Sequence, residues 1–365
     1  MLCSTLIPDA FDEKPVYFWR CNQRPLQVKS LLGYVQDSIA SRTAGFEWMS
    51  SSIRKQLVAA TRGVNVQVGG FDGFWTNEYF SESSVKISSV DCPDVQLYLA
   101  FTCPRTVEIP ENASYLETFM INYLSEPSGD LHAVLNNPVD RLELLWTSGL
   151  SPSTVNAFYS HEYNIALFPL AYLQGAFFPR DVPGYLKFSS IGETLAHEML
   201  HWLDPKGHAI DAKGNKYQSW RESETTRYDA FSTCLSTHYV DTFKNVTLKG
   251  TFYPNYDPWF ALPENLCDVL GLDFAMAAYR RWVDDHGRDV MLPGIDFEAD
   301  QIFLINAAQM SCTVLDDWWL AYLLETDEHT PASQRINGQM SNLAEFGKIF
   351  NCPADSPLNP KSKCT

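Results

Sequence analysis

The sequence predicts a mainly helical α+β fold with a small sheet. Three observations point there: long stretches with apolar residues at helical spacing, one pair of short apolar runs around a polar turn, and the absence of repeats or low-complexity tracts. With 365 residues, 45% of them hydrophobic, the chain can bury a substantial core.

From Leu26 to Val64 the spacing reads as a packed helix pair, with Leu31, Leu32, Val35, Ile39, Trp48, Ile53, Leu57 and Val58 facing inward. Residues 66 to 110 mix Gly, Pro, Ser and aromatics, and Cys92 and Cys103 lie close enough in sequence to clip that region. Val155 to Tyr159 and Asn164 to Phe168 flank Ser160-His161-Glu162-Tyr163 and read as a hairpin. Glu193 to Leu203 is helical and is ended by Pro205 and Gly207. A further helix spans roughly Leu262 to Trp282, and another covers Gln301 to Cys312 with a possible continuation to Leu324. The last forty residues are rich in Pro, Asn and Ser.

Charge narrows the partners. The 27 Lys and Arg against 44 Asp and Glu leave a formal charge of -17, which repels nucleic acid and anionic lipid. No stretch of about 18 apolar residues is present, and Asp9, Asp12, Glu13 and Lys14 interrupt any signal-peptide core. Nine cysteines and the sequons at Asn112 and Asn245 nevertheless fit an oxidising, glycosylating compartment. An extracellular location with a start lost upstream reconciles these signs; buried thiols and chance sequons are the plainer alternative.

The chemistry concentrates in Ala196-His197-Glu198-Met199-Leu200-His201. Histidines four apart on a helix project from one face at adjacent turns, the spacing that suits zinc, and Glu198 beside them can reach a water rather than the metal. A catalytic zinc takes three protein ligands and leaves a position for solvent, so a third ligand must come from elsewhere. Glu264-Asn265-Leu266-Cys267-Asp268 supplies one: Glu264 and Asp268 share a helix face, the first able to ligate and the second able to accept the other ring proton of a ligating histidine. Alone, such a pair is more often a solvated helix edge; joined to the histidines, the ligand reading prevails.

This ordered set, HEMLH, then ENLCD, then His329-Thr330-Pro331 with Arg335-Ile336-Asn337-Gly338, resembles the neprilysin and endothelin-converting enzyme family of zinc metallopeptidases. The likeness extends through Val155-Asn156-Ala157-Phe158-Tyr159, Leu173-Gln174, Phe177-Phe178, Leu292-Pro293-Gly294, Ala308-Gln309, Met340-Ser341-Asn342 and Phe346 to Cys352, and more weakly through Trp19-Arg20-Cys21 and Trp48-Met49. The resemblance implies a thermolysin-like, gluzincin-type catalytic domain over 111–365, preceded over 1–110 by a remnant of a helical region and a connecting segment. It implies one Zn2+ per chain held by His197, His201 and Glu264, with Glu198 as general base. Asp268 would orient His197, and Asp204 would support His201 or simply end the helix. His329 would stabilise the oxyanion, Arg335 would grip a substrate carbonyl, and Asn156 and Ala157 would pair with the backbone of a peptide substrate. Cys234 would bond to Cys364.

The sequence also departs from that pattern. Glu193 and Thr194 stand one turn before His197, and Ser311 stands before Cys312, where the family carries apolar or aromatic residues. These sites line the pocket for the side chain after the cleaved bond, so a preference for large hydrophobic residues there is in question. Cys267 stands where alanine is usual and reads as a buried thiol rather than a ligand. The long upstream helical region of the family, with any membrane anchor, is missing, which implies a fragment, an abbreviated gene model or a diverged paralogue. The usual partners of Cys21, Cys312 and Cys352 fall in that region unless Cys3 substitutes for one. Two functions remain: an active zinc endopeptidase, or a peptidase-like binding protein that turns nothing over.

Overall fold

The computed structural model describes residues 14–69, 154–179, 181–211, 215–216, 220–243, 247–248, 251–252 and 257–364, with side chains from Gln27 onward and outside 243–252. The chain divides into two units, Met1–Gly69 with Ser153–Thr365 and Gly70–Pro152. Everything below concerns the first. Asn112, Asn245, Cys3, Cys92, Cys103, the side chain of Cys21 and the expected boundary near residue 110 lie outside the described residues.

Two helices open the described chain, α1 (Lys14–Arg42) and α2 (Ser51–Gly63). Val35, Ile39, Ile53 and Leu57 are fully buried, each stabilising the fold by about 1.5 to 3 kcal/mol relative to exposure. Leu31 and Trp48 are buried as expected, whereas Leu32 and Val58 are half-buried. Ser50 caps α2, its Oγ accepting from the Ile53 N–H at 3.1 Å. The segment expected as a remnant thus contributes structure to the same unit as the site: α2 leads directly into strand β1 (Asn65–Gly69).

That strand runs parallel to β3 (Ile165–Pro169), and β3 pairs antiparallel with β2 (Phe158–Ser160), giving the order β1-β3-β2. All five residues of the central strand are buried, as a strand covered on both faces requires. The hairpin falls where the sequence reading put it, but its first strand is shorter: Val155 to Ala157 precede it as non-strand backbone, and Val155 is 59% exposed.

The expected Glu193–Leu203 helix is part of a longer rod. It starts as α3 (Gly184–Lys187), passes through a π-helical turn at Phe188–Gly192 and continues as α4 (Glu193–Leu200). Such π turns are rare and recur beside functional sites. Helix α5 (Glu222–Phe243) follows, then a two-stranded ribbon of β4 (Thr247–Leu248) and β5 (Thr251–Phe252). Helix α6 (Leu262–His286) is buried on every side from Leu262 to Leu272, as befits a central helix that other elements surround. It crosses α4 closely at Gly271, where a Cβ would meet the His197 backbone nitrogen at 3.2 Å. Helix α1 binds the outer side of α6 through Arg42 to Asp273 and through the Tyr34 hydroxyl donating to Asp285 at 3.0 Å.

The helix expected over Gln301 to Cys312 is α7 (Ala299–Met310), and its possible continuation to Leu324 is instead a separate helix, α8 (Asp317–Thr326). The Asp316 carboxylate caps the second, accepting from the Trp319 N–H at 2.8 Å. The Pro- and Ser-rich end also holds α9 (Ala332–Asn342) and the short α10 (Phe346–Ile349). Cys234 on α5 bonds to Cys364, separated by 130 residues, a link worth about 4 to 5 kcal/mol in the loop-entropy picture. Asn342 clamps the same tail, its Nδ2 donating to the Cys364 carbonyl at 2.9 Å and its Oδ1 accepting from the Cys364 N–H at 2.7 Å. Helix α9 is thereby fixed against α5. Cys267, Cys312 and Cys352 are free thiols. No helix of the described residues is long and apolar enough to cross a membrane.

Candidate metal centre and active site

His197 and His201 lie one turn apart at the end of α4, with ring centroids 4.9 Å apart. His201 has left the regular helix but keeps right-handed backbone angles, so both imidazoles still share one face. Across from them the third residue of α6, in its first turn, is Glu264. Its Oε2 lies 3.1 Å from His197 Nε2 and its Oε1 lies 3.6 Å from His201 Nε2. One ligand atom from each of the three lies within 4.8 Å of the others, and all three residues are buried.

Each histidine is held from behind. His197 Nδ1 sits 2.8 Å from Asp268 Oδ1, and His201 Nδ1 sits 2.9 Å from Asp204 Oδ2. A carboxylate can only accept, so these neighbours assign the proton to Nδ1 and leave both Nε2 lone pairs facing Glu264. Two imidazole nitrogens and one carboxylate oxygen, with carboxylates behind the rings, form a donor set that fits a zinc ion. Charge argues the same way. Glu198, Glu264, Asp268 and Asp204 are all buried around this point, against the half-buried guanidinium of Arg335 and the exposed ammonium of Lys206 at the cavity edge. A divalent cation would offset that excess.

The supporting acids are themselves well bound. Asp204 Oδ1 accepts from the backbone N–H groups of Lys206 at 2.7 Å and Gly207 at 2.6 Å, while Oδ2 also meets His161 Nε2 at 2.9 Å. Burial alone would push the Asp204 carboxyl up, yet the His161 and His201 bonds hold it well below the usual range. Gly207 is required in this turn because a Cβ there would collide with the His201 carbonyl. Asp268 receives both Arg335 Nε and, at 2.6 Å, Arg335 Nη2. Burial opposes its ionisation, but the Arg335 charge and the His197 bond outweigh it and keep the pKa low. Glu264 likewise stays far below the ordinary carboxylate range despite burial, through His197 and His329.

A cavity of about 570 Å³ opens over these groups. Glu198 lines it, and burial raises its pKa. His329 reaches the cavity from the loop before α9. Its Nε2 lies 3.0 Å from Glu264 Oε2 and its Nδ1 2.8 Å from Asp327 Oδ1. Against the effect of burial, these two carboxylates push its pKa up to about 9. The adjoining Thr330 pins the loop to α6, its hydroxyl donating to Asn265 Oδ1 at 2.7 Å. Asn156 and Ala157 line the cavity rim just before β2, which pairs only with β3 among the described residues. Arg335, Glu193, Thr194 and Ser311 line it as well.

Cys267 is buried but is not one of the three facing donors; its Sγ lies 3.5 Å from His201 Nδ1, behind the ring. Three contributors escaped the sequence reading. His161, read only as part of a hairpin turn, shares Asp204 with His201. Tyr159 stacks on His201 with centroids 6.0 Å apart and an interplanar angle of 20°. Gln339, one turn after Arg335 on α9, donates through Nε2 to the Asp268 carbonyl and to Glu193 Oε1, each at 3.1 Å. Its i+4 relation to Arg335 was the available signal.

The family model described as Peptidase family M13 matches residues 156–365. Membrane metallo-endopeptidase-like 1 of Mus musculus is 34% identical over 337 residues, covering 92% of this chain and 40% of that protein. Neprilysin-2 of Drosophila melanogaster is 35% identical over 230 residues, covering 63% of this chain and 29% of the relative. The chain therefore spans well under half the length of these curated relatives. Among solved structures, zinc metalloprotease ZMP1 of Mycobacterium tuberculosis, in complex with an inhibitor, superposes with a TM-score of 0.70 at 22% identity, covering 94% of this chain and 47% of that one. The last likeness bears on the fold alone. With the matched segment exceeding half of its residues and carrying both histidines and the ligating-type glutamate, the chain belongs to peptidase family M13.

Proposed function

We propose that this chain is a zinc-dependent endopeptidase acting on peptides, with His197, His201 and Glu264 holding the ion. The observation that carries this reading is the convergence of the two Nε2 atoms on the Glu264 carboxylate, each ring being backed by its own acid. Bound there, zinc supplies Lewis acidity, polarising a carbonyl and making water a usable nucleophile near neutral pH.

The chain's own residues do the rest. Glu198 takes a proton from the attacking water and returns it to the departing amine. His329 presents an N–H donor to the carbonyl oxygen as charge gathers on it, a donor of this kind contributing about 2.7 to 4 kcal/mol, and Arg335 grips a substrate carbonyl. Arg335 is also tied to Asp268, so the group that orients His197 and the group that grips substrate are mechanically joined. Asn156 and Ala157, beside the outer strand of the sheet, offer backbone groups to an extended peptide. The Cys234–Cys364 disulfide supports an extracellular setting.

The purified chain, supplied with zinc, is expected to cleave an internally quenched peptide of about ten residues, to lose that activity to a chelator and to regain it with zinc. A protein that binds one zinc and cleaves nothing would instead be a peptidase-like binding protein.

A further inference from the structure

Glu193 and Thr194 precede His197 by four and three residues on α4, so they lie one turn back on the metal-facing side. Met310 and Ser311, at the end of α7, and Tyr172 and Phe177 line the same cavity, and Thr194 Oγ1 lies 2.9 Å from the Tyr172 hydroxyl. Met310, Phe177 and the Tyr172 ring supply hydrocarbon to this lining. Glu193 adds a half-buried carboxyl whose Oε1 accepts from Gln339 Nε2 at 3.1 Å. Among the described residues it has no ion-pair partner, and the arginine and lysine that line the cavity are engaged elsewhere, Arg335 by Asp268 and Lys206 by Glu328. Withdrawing a carboxylate from water without a counter-charge is unfavourable, and burial together with the nearby Asp268 raises its pKa. A carboxylate with no counter-ion, in a lining that also offers the hydrocarbon of Met310, Phe177 and Tyr172, is complementary to a side chain with a long methylene stem and a cationic head.

We infer that the cavity beside Glu193 receives a lysine or arginine side chain of the substrate, flanking the cleaved bond, with Glu193 as its anion. The inference rests on the peptidase reading and names its substrate class: peptides cut beside a basic residue. The net charge of -17 favours the same peptides by drawing cations towards the chain.

The test is a matched series of quenched peptides with Lys, Arg, Leu or Glu at each position flanking the bond, with the cut located by product mass. Wild type is expected to show kcat/KM at least about tenfold higher for Lys or Arg than for Leu at one flanking position, and lowest for Glu. Glu193→Gln keeps the shape and an acceptor for Gln339, and should reduce the preference to within about threefold. Glu193→Met should reverse it in favour of Leu. Efficient cleavage of Leu peptides with no gain from Lys and no effect of Glu193→Gln would overturn the inference while leaving the peptidase reading intact. If zinc-loaded protein cleaves no peptide, the peptidase reading fails, and calorimetric binding of peptide hydroxamates carrying Lys or Leu then decides the pocket. A Lys preference lost in Glu193→Gln supports the inference; equal binding overturns it.

Discussion

Glu198→Gln is expected to lower kcat by about 100- to 10,000-fold while the protein keeps its zinc. The range is what a positioned general base contributes. Retention of zinc follows from the donor set, since the three converging atoms belong to His197, His201 and Glu264, and Glu198 is not among them. The substitution is nearly isosteric and leaves the cavity wall filled. Because burial already raises the Glu198 pKa, a neutral amide there should leave the melting temperature unchanged or higher, the usual trade between stability and activity. Zinc content, melting and kcat measured on one preparation check all three. A near-normal rate would mean that the proton goes elsewhere.

Glu264→Ala is expected to remove high-affinity zinc binding, whereas weakening the support behind His197 should lower affinity only about 10- to 100-fold. Asp268→Ala would strand Arg335, which now makes a paired contact with that carboxylate, and removing one partner of a buried pair costs about 3 to 5 kcal/mol. Asp268→Asn keeps the shape and an acceptor, so it separates the effect on zinc from the effect on folding. Competitive titration with a chelating dye gives the affinities. Equal affinities for Glu264→Ala and Asp268→Asn would refute the assignment of Glu264 as ligand.

The parts of this site that were legible in the sequence share one property: their spacing is that of a single helix. His197 with His201, and Glu264 with Asp268, each lie four residues apart, so the helical period alone puts each pair on one face. The inward face of α1 and α2 and the hairpin of β2 and β3 came from periodicity in the same way. What was not legible depends on contacts between distant segments. Nothing local to His161 reveals that its ring shares an acid with His201, because Asp204 is reached only when the hairpin folds against the end of α4. A continuation of α7 towards Leu324 was left open for a different reason. Trp318, Trp319 and Tyr322 prolong the apolar pattern, yet they are 47% to 63% exposed, so hydrophobicity misreports their burial. The capping aspartate Asp316 marked the boundary and outranked the pattern.

The departures at Glu193 and Thr194 are more than lost hydrophobic contacts. Thr194 Oγ1 lies 2.9 Å from the Tyr172 hydroxyl, and Glu193 is bound to Gln339, so both polar groups are integrated into the wall they form. A site assembled that way has its own selectivity.

The central claim, that one divalent ion is held between α4 and α6 by three side chains, is tested most directly by crystals of zinc-loaded protein measured above and below the zinc absorption edge. The account predicts one anomalous peak per chain, within bonding reach of His197 Nε2, His201 Nε2 and Glu264. No peak, or a peak beside His161 and Asp204 instead, would contradict it.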